Sequence, residues 1–185
     1  MKKQRKFFSC VFRKRLSQNT KIQQDMVQRY LVSTNILYEN FILQRSLHER
    51  SKMQGFNCIL VYSADKSKIL FCKRRKDPYI GLYNLVGGKI EPEEEGINAA
   101  YRELYEETGI LRSDITLYHF MDFTYYKDSC YVEVYGGYLE HAVDLKEEAH
   151  PLVWLDSNED FFDSERFAGE GNIGHMVEYV RKYGL

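Results

Sequence analysis

Apolar positions along this chain fall into two periods. Residues 56–63 (FNCILVYS) and 68–73 (KILFCK) are short runs rich in Ile, Leu, Val and aromatics, which predicts two strands. The Ala-Asp-Lys-Ser between them reads as a turn, so the pair is expected to be hairpin-like. From about residue 95 to 107 the period changes. Ile97, Ala100, Tyr101 and Leu104 recur at three- and four-residue spacing, the buried stripe of a helix. Gly109 stands where a left-handed residue would end it. Residues 115–126 and 130–139 are two aromatic-rich runs joined by Lys127-Asp128-Ser129, an expected antiparallel pair. A further strand is expected over 151–155 (PLVWL), a Gly-rich loop over 167–174 and a closing helix over 175–183. His175 reads as structural.

Ahead of these elements the pattern is weaker. Residues 21–50 read as helical, with Met26, Val27, Tyr30, Leu31, Leu37, Phe41 and Ile42 as apolar anchors. Charge sharpens the division. Residues 1–54 carry twelve Lys/Arg against three Asp/Glu, net +9, and residues 55–185 carry fourteen against twenty-four, net −10. The expected organisation is a basic, helical or partly ordered N-terminal extension over 1–54 and one domain over 55–185. A basic arm can serve nucleic acid or an acidic partner, but an extension without a catalytic role is the reading we favour, and nucleic acid is not the expected partner. Met53 stands just before the domain, so the extension can also lie upstream of a second start.

Other compositional features exclude more than they assert. The four cysteines, Cys10, Cys58, Cys72 and Cys130, are widely spaced without a C-x-x-C. That is neither a zinc framework nor a disulfide scaffold. Cys58 and Cys72 fall in apolar runs and read as buried thiols, which fits a reducing cytoplasm. No apolar run approaches the length of a membrane span.

The informative stretch is 87–110, GGKIEPEEEGINAAYRELYEETGI. Glu93, Glu94 and Glu95 crowd the expected helix start, where the macrodipole favours negative charge, with Pro92 just before it. Glu103, Glu106 and Glu107 lie at i, i+3 and i+4, which puts three carboxylates on one helical face. Like charges so spaced destabilise a bare helix, and a hard cation with oxygen ligands reverses that effect. Mg²⁺ suits the donor set, and Mn²⁺ is the alternative. Arg102 can reach back to Glu94 or forward to Glu106.

Read as a pattern, the stretch is Gly88, any five residues, Glu94, any seven, Arg102-Glu103-Leu104, any one, Glu106-Glu107, any one, Gly109-Ile110. It resembles the signature of the Nudix hydrolases at every specified position, over about residues 55–160. The resemblance implies an α/β/α sandwich with a mixed β-sheet and hydrolysis of a nucleoside diphosphate linked to another moiety. It implies metal ligation by Glu103, Glu106, Glu107 and the Gly88 carbonyl, with Arg102 and Glu94 holding loop and helix together. It implies a phosphate-facing role for Arg74 or Arg75. The Tyr83-Asn84 pair is similar to the aromatic-Asn pair of members that hydrolyse oxidised purine triphosphates, with Asn84 on the base edge. A helper carboxylate from outside the motif is common in the family, and Glu147, Glu148 and Glu133 are the candidates. Pro151 stands where a Glu is usual.

The leading expectation is therefore a nucleoside triphosphate pyrophosphatase of the 8-oxo-dGTP diphosphatase kind, a monomer or homodimer with a small nucleotide as partner. ADP-ribose or a nucleotide sugar is the alternative substrate, and a nucleotide-binding regulatory module without hydrolysis is a third reading.

Overall fold

The computed structural model describes residue 50 and residues 52–185. The expected helical region over 21–50 lies outside the described residues. Residues Lys52–Leu185 form one compact unit.

Six strands and two helices follow in order: β1 (Gln54–Tyr62), β2 (Lys68–Lys73), β3 (Tyr83–Asn84), α1 (Gly96–Thr108), β4 (Tyr118–Tyr125), β5 (Cys130–Tyr138), β6 (Leu152–Asp156) and α2 (Asn172–Tyr183). They build a mixed sheet in which β1 runs parallel to β5 while β4 with β5 and β6 with β2 are antiparallel. Successive residues of β1 and β2 serve opposite faces, as a strand's period of two requires. Ile59, Val61, Leu70 and Cys72 pack toward α1 with its Ala100 and Leu104. Leu60, Tyr62, Ile69 and Phe71 pack toward α2 with its Met176, Val177 and Val180. The sheet lies between the two helices, the expected sandwich. No helix among the described residues is long and apolar enough to cross a membrane.

The expected hairpin is different in detail. β1 and β2 register only at Tyr62 and Ile69, then part. The gap takes the segment leading to the glycine pair. Tyr83 and Asn84 pair with the end of β2, and Val86 and Lys89 then bridge to Ile59 and Phe56 of β1. Gly87 and Gly88 are thus held against β1 where the two strands splay. That placement positions the site.

α1 ends as expected, with Gly109 left-handed at φ 76° and its N–H on the Tyr105 carbonyl at 2.8 Å. Its start differs. The helix begins at Gly96 and its first turn holds no acidic residue. Glu93 is taken up in a left-handed turn at φ 65°, and Glu94 is drawn to Arg102. Glu95 remains at the helix start as its N-cap, without a side-chain cap bond, and a further carboxylate comes from β5, where Glu133 lies against the bare Cα of Gly96 and accepts from Tyr135 Oη at 2.6 Å. β4 is also shorter than its aromatic run, because Ile115 makes only an isolated bridge to Leu139.

Candidate functional site

Arg102 is the hub of the acidic face. Its Nε and Nη2 donate to the two oxygens of Glu94 at 3.0 and 2.9 Å. Its Nη1 donates to Glu103 at 2.7 Å and to Glu106 at 3.1 Å, and Nη2 also reaches the Lys89 carbonyl at 2.9 Å. The expectation of Glu94 or Glu106 becomes both, with Glu103 added. A forked guanidinium can serve several carboxylates at once, and these bonds are the charge-assisted kind. They raise the Arg102 pKa, chiefly through Glu94, and hold Glu94 below the ordinary carboxylate range. The loop 88–95 is thereby tied to the middle of α1.

Glu107 turns the other way, into the sheet. The Gly87 N–H donates to its Oε2 at 2.9 Å. Burial pushes its pKa up to about 7, and the charges of Glu103 and Glu148 add to the rise, while the Gly87 N–H and Arg74 oppose it. Helical spacing alone suggests three carboxylates side by side. Instead, Glu103 and Glu106 share Arg102, Glu107 takes the glycine turn, and no cluster of three metal-ligating groups occurs among the described residues. Like charges one turn apart separate toward different counter-groups.

Glu103 also meets the turn. A Cβ on Gly88 would collide with the Glu103 carboxylate, its nearest carbon at 2.5 Å. Gly88 is therefore glycine for close approach rather than for backbone freedom. Gly88→Ala is expected to displace Glu103 and to lower kcat about 10- to 100-fold with little loss of thermal stability. Paired kinetics and calorimetry check this, and an unchanged kcat would count against it.

The loop between β5 and β6 is stapled on both sides. Lys146 N–H donates to the Thr108 carbonyl at 2.8 Å, and Lys73 N–H to the Pro151 carbonyl at 2.8 Å. Glu147 accepts from the Leu152 N–H at 3.1 Å, a purely local bond. Glu148, exposed, is the member of the pair whose charge reaches Glu107. Glu133 lies against Gly96 at the start of α1, eleven residues and about 16 Å of helix from Glu107, and is in register with Asn57 on β1.

The remaining expected residues scatter. Arg74 donates to the carbonyls of Asp77 and Pro78 at 3.3 Å, yet its charge acts on Glu107, Cys58 and Cys72. Arg75 is exposed, and its backbone N–H donates to His150 Nδ1 at 3.3 Å. Burial and the cluster of Arg74, Lys76 and Arg75 lower the His150 pKa. Tyr83 and Asn84 fall on opposite faces of the sheet. Tyr83 is opposite Lys73 and packs on Phe167, with ring centroids 6.0 Å apart, whereas Asn84 is opposite Cys72 on the α1 side. The pair does not act on one face. Burial pushes the thiol pKa of Cys58 and Cys72 up to about 12; Cys72 is buried as expected, whereas Cys58 is only partly so. His150 and Asn57 escaped the sequence reading. The one signal for Asn57 was an amide alternating with Ile59 and Val61 in an apolar run.

Comparison with known proteins agrees with this architecture. The model of the NUDIX domain matches residues 52–169. A MutT structure from work on Aliivibrio salmonicida and Vibrio cholerae is 22% identical, with a TM-score of 0.55 over 71% of this chain and 100% of its own. The Escherichia coli dihydroneopterin triphosphate pyrophosphohydrolase is 20% identical, with a TM-score of 0.56 over 69% and 95%. The NUDIX domain of Shewanella oneidensis NrtR, complexed with ADP ribose, is 15% identical, with a TM-score of 0.55 over 70% and 87%. No curated protein matches the sequence. With the family model covering more than half of its length and the splayed strands, glycine pair and glutamate helix in place, the chain belongs to the Nudix family, as a hydrolase acting on nucleoside diphosphate-linked substrates.

Proposed function

We propose that the chain hydrolyses a nucleoside triphosphate, an oxidised purine triphosphate included, to the monophosphate and pyrophosphate. The observation that carries this is the meeting of Glu103 and Glu107 at the Gly87–Gly88 turn, with Glu148 and Arg74 both acting on Glu107. Arg74, whose charge reaches Glu107, and the basic residues next to it in the chain favour a polyphosphate as the substrate.

Nudix hydrolases generally use a divalent cation such as Mg²⁺. The residues here fit one. All the donors are oxygens, and the missing Cβ at Gly88 lets the Glu103 carboxylate lie close against that residue's backbone. Glu103, Glu106, Glu107 and the Gly88 carbonyl would hold it. Such a cation neutralises phosphate oxygens and makes water at the site more acidic.

The protein's own groups do the rest. Arg102 fixes the Glu103 and Glu106 carboxylates against Glu94, so that they are oriented before substrate arrives. Arg74 and its basic neighbours orient the outer phosphates. Water attacks phosphorus in line with the bridging oxygen. The P–O bond to pyrophosphate breaks, and the water proton passes to a carboxylate. Glu148, exposed and with its charge acting on Glu107, is the carboxylate suited to accept it. Asn84, on the α1 side, offers an amide donor and acceptor to a base edge.

A panel of nucleotides with Mg²⁺ tests the substrate. Pyrophosphate released from triphosphates is the expected result. Turnover of ADP-ribose with none of any triphosphate would replace the substrate and keep the reaction.

A further inference from the structure

We propose that Asn57 is a positioning residue of the hydrolytic site, holding the Gly88 peptide and through it the seat of Glu103. The proposal rests on the reading of the site given above. Asn57 lies in the middle of β1 and is 2% exposed. Its face of the strand continues in Ile59 and Val61, both in the α1-side core. Packing alone calls for another aliphatic residue there.

The contrast with Thr108 is instructive, since these two are the buried polar residues among the described residues. The Thr108 hydroxyl donates to the Leu104 carbonyl at 2.6 Å and accepts from the Ile110 N–H at 3.1 Å. It is fully employed in ending α1. Asn57 Oδ1 accepts from the Gly88 N–H at 3.2 Å, but no described group accepts from its Nδ2. Turning the amide over would set two donors face to face, so the orientation is fixed. A hidden donor without an acceptor costs folding stability. Residues that break a packing rule at such a cost concentrate at functional sites.

What Asn57 does with its other groups explains its retention. Its backbone N–H donates to the Gly88 carbonyl at 2.8 Å. One residue therefore holds both polar ends of Gly88, the amide through its side chain and the carbonyl through its backbone. It also lines Gly87, where a Cβ would lie 2.7 Å from Asn57 Oδ1 and where φ is +134°. On the far side of the same turn lie Glu103, against Gly88, and Glu107, on the Gly87 N–H. The turn is thus a thin slab of backbone between Asn57 and the two carboxylates. Any rotation of the Gly88 peptide breaks its bonds to Asn57 and shifts the backbone that the Glu103 carboxylate lies against.

Replacing Asn57 by Val removes the acceptor and the idle donor together while keeping a residue that suits a strand core. The expected result has three parts. The Gly88 amide exchanges with solvent at least about tenfold faster, while the Ile59 amide, bonded to Val86 at 2.9 Å, keeps its protection. kcat falls about 10- to 100-fold with KM little changed, and Mn²⁺ affinity of the nucleotide-free protein, read by electron paramagnetic resonance, weakens by a comparable factor. Thermal stability does not fall. A merely structural residue would lower stability and loosen both amides together. Should the Val variant not fold, Asn57→Ser, whose hydroxyl is too short to reach Gly88, is scored in the same way. If the unsubstituted protein is active and the variant keeps its kcat, its Mn²⁺ affinity or its Gly88 protection, the assignment of Asn57 is overturned and the reading of the site stands. If the unsubstituted protein neither binds Mn²⁺ nor turns over a nucleotide, the site reading falls and takes this proposal with it.

Discussion

Glu106→Gln is expected to lower kcat about a thousandfold, because a divalent cation contributes several kcal/mol of transition-state stabilisation and each 1.36 kcal/mol is about tenfold in rate. Glu106 is half-exposed, with 50% of its side chain accessible, and its one described protein bond is to Arg102 at 3.1 Å. Its loss therefore leaves the fold intact, and the amide oxygen still accepts from Arg102. The readout is kcat under saturating nucleotide, with Mg²⁺ titrated well above the wild-type requirement. A drop that high Mg²⁺ partly recovers identifies lost cation affinity. A rate within a few fold of wild type at ordinary Mg²⁺ would remove Glu106 from the cation site. A regulatory module that binds nucleotide without hydrolysing it would show no rate to lose, and its ligand affinity would survive the substitution.

Much of the fold was legible because its elements are local. β2, β5 and β6 follow from apolar runs, and α1 from the spacing of Ile97, Ala100, Tyr101 and Leu104, with Gly109 as its stop. What local pattern does not reach is non-local. β1 and β2 pair antiparallel across their short turn as expected, but only at Tyr62 and Ile69, and beyond it β1 takes β5 as its parallel partner over nine residues and β2 takes β6. Nothing in the sequence of 83–89 announces that it enters between them, since β3 has two residues and the rest are single bridges. The site shows the same division. The glutamates and Arg102 were readable by helical spacing, but the turning of Glu107 into the sheet depends on Gly87, twenty residues away in the chain. Of the acids before Gly96, only Glu95 stands at the helix start, as its N-cap, and Glu133 on β5 adds a carboxylate there.

The carboxylates around the glycine turn differ in what they contribute before any cation is bound. Glu94 is stabilised as an anion by Arg102, so it favours the fold at neutral pH and loses that effect on acidification. Glu107 does the reverse. Its opposing behaviour places a destabilised anion in the middle of an otherwise well-paired network, as sites that await a counter-charge do.

The consequence is a stability curve that cation should invert. Folding raises the Glu107 pKa from 4.5 to about 7. Between those values the folded chain keeps a proton that the unfolded chain has released, so rising pH favours unfolding. The contribution is present in full below about 4.5 and is lost as pH rises through about 7, a change of about 3 kcal/mol. In chelator, Tm should therefore fall with pH over this window by roughly 10 °C beyond the trend of Glu107→Gln. At pH 8 the Gln variant should be the more stable protein, and near pH 4 the two should agree. With millimolar Mg²⁺ the order reverses, because a cation needs the ionised carboxylate and its affinity rises as the proton leaves. Wild-type Tm should then climb from pH 6 to 8 while the variant gains little. Calorimetry of both proteins at several pH values, with and without Mg²⁺, supplies the four curves. Wild-type curves that run parallel with and without Mg²⁺ would show that Glu107 meets no cation, and a wild type more stable than the variant in chelator at pH 8 would show that its carboxylate is not strained by burial.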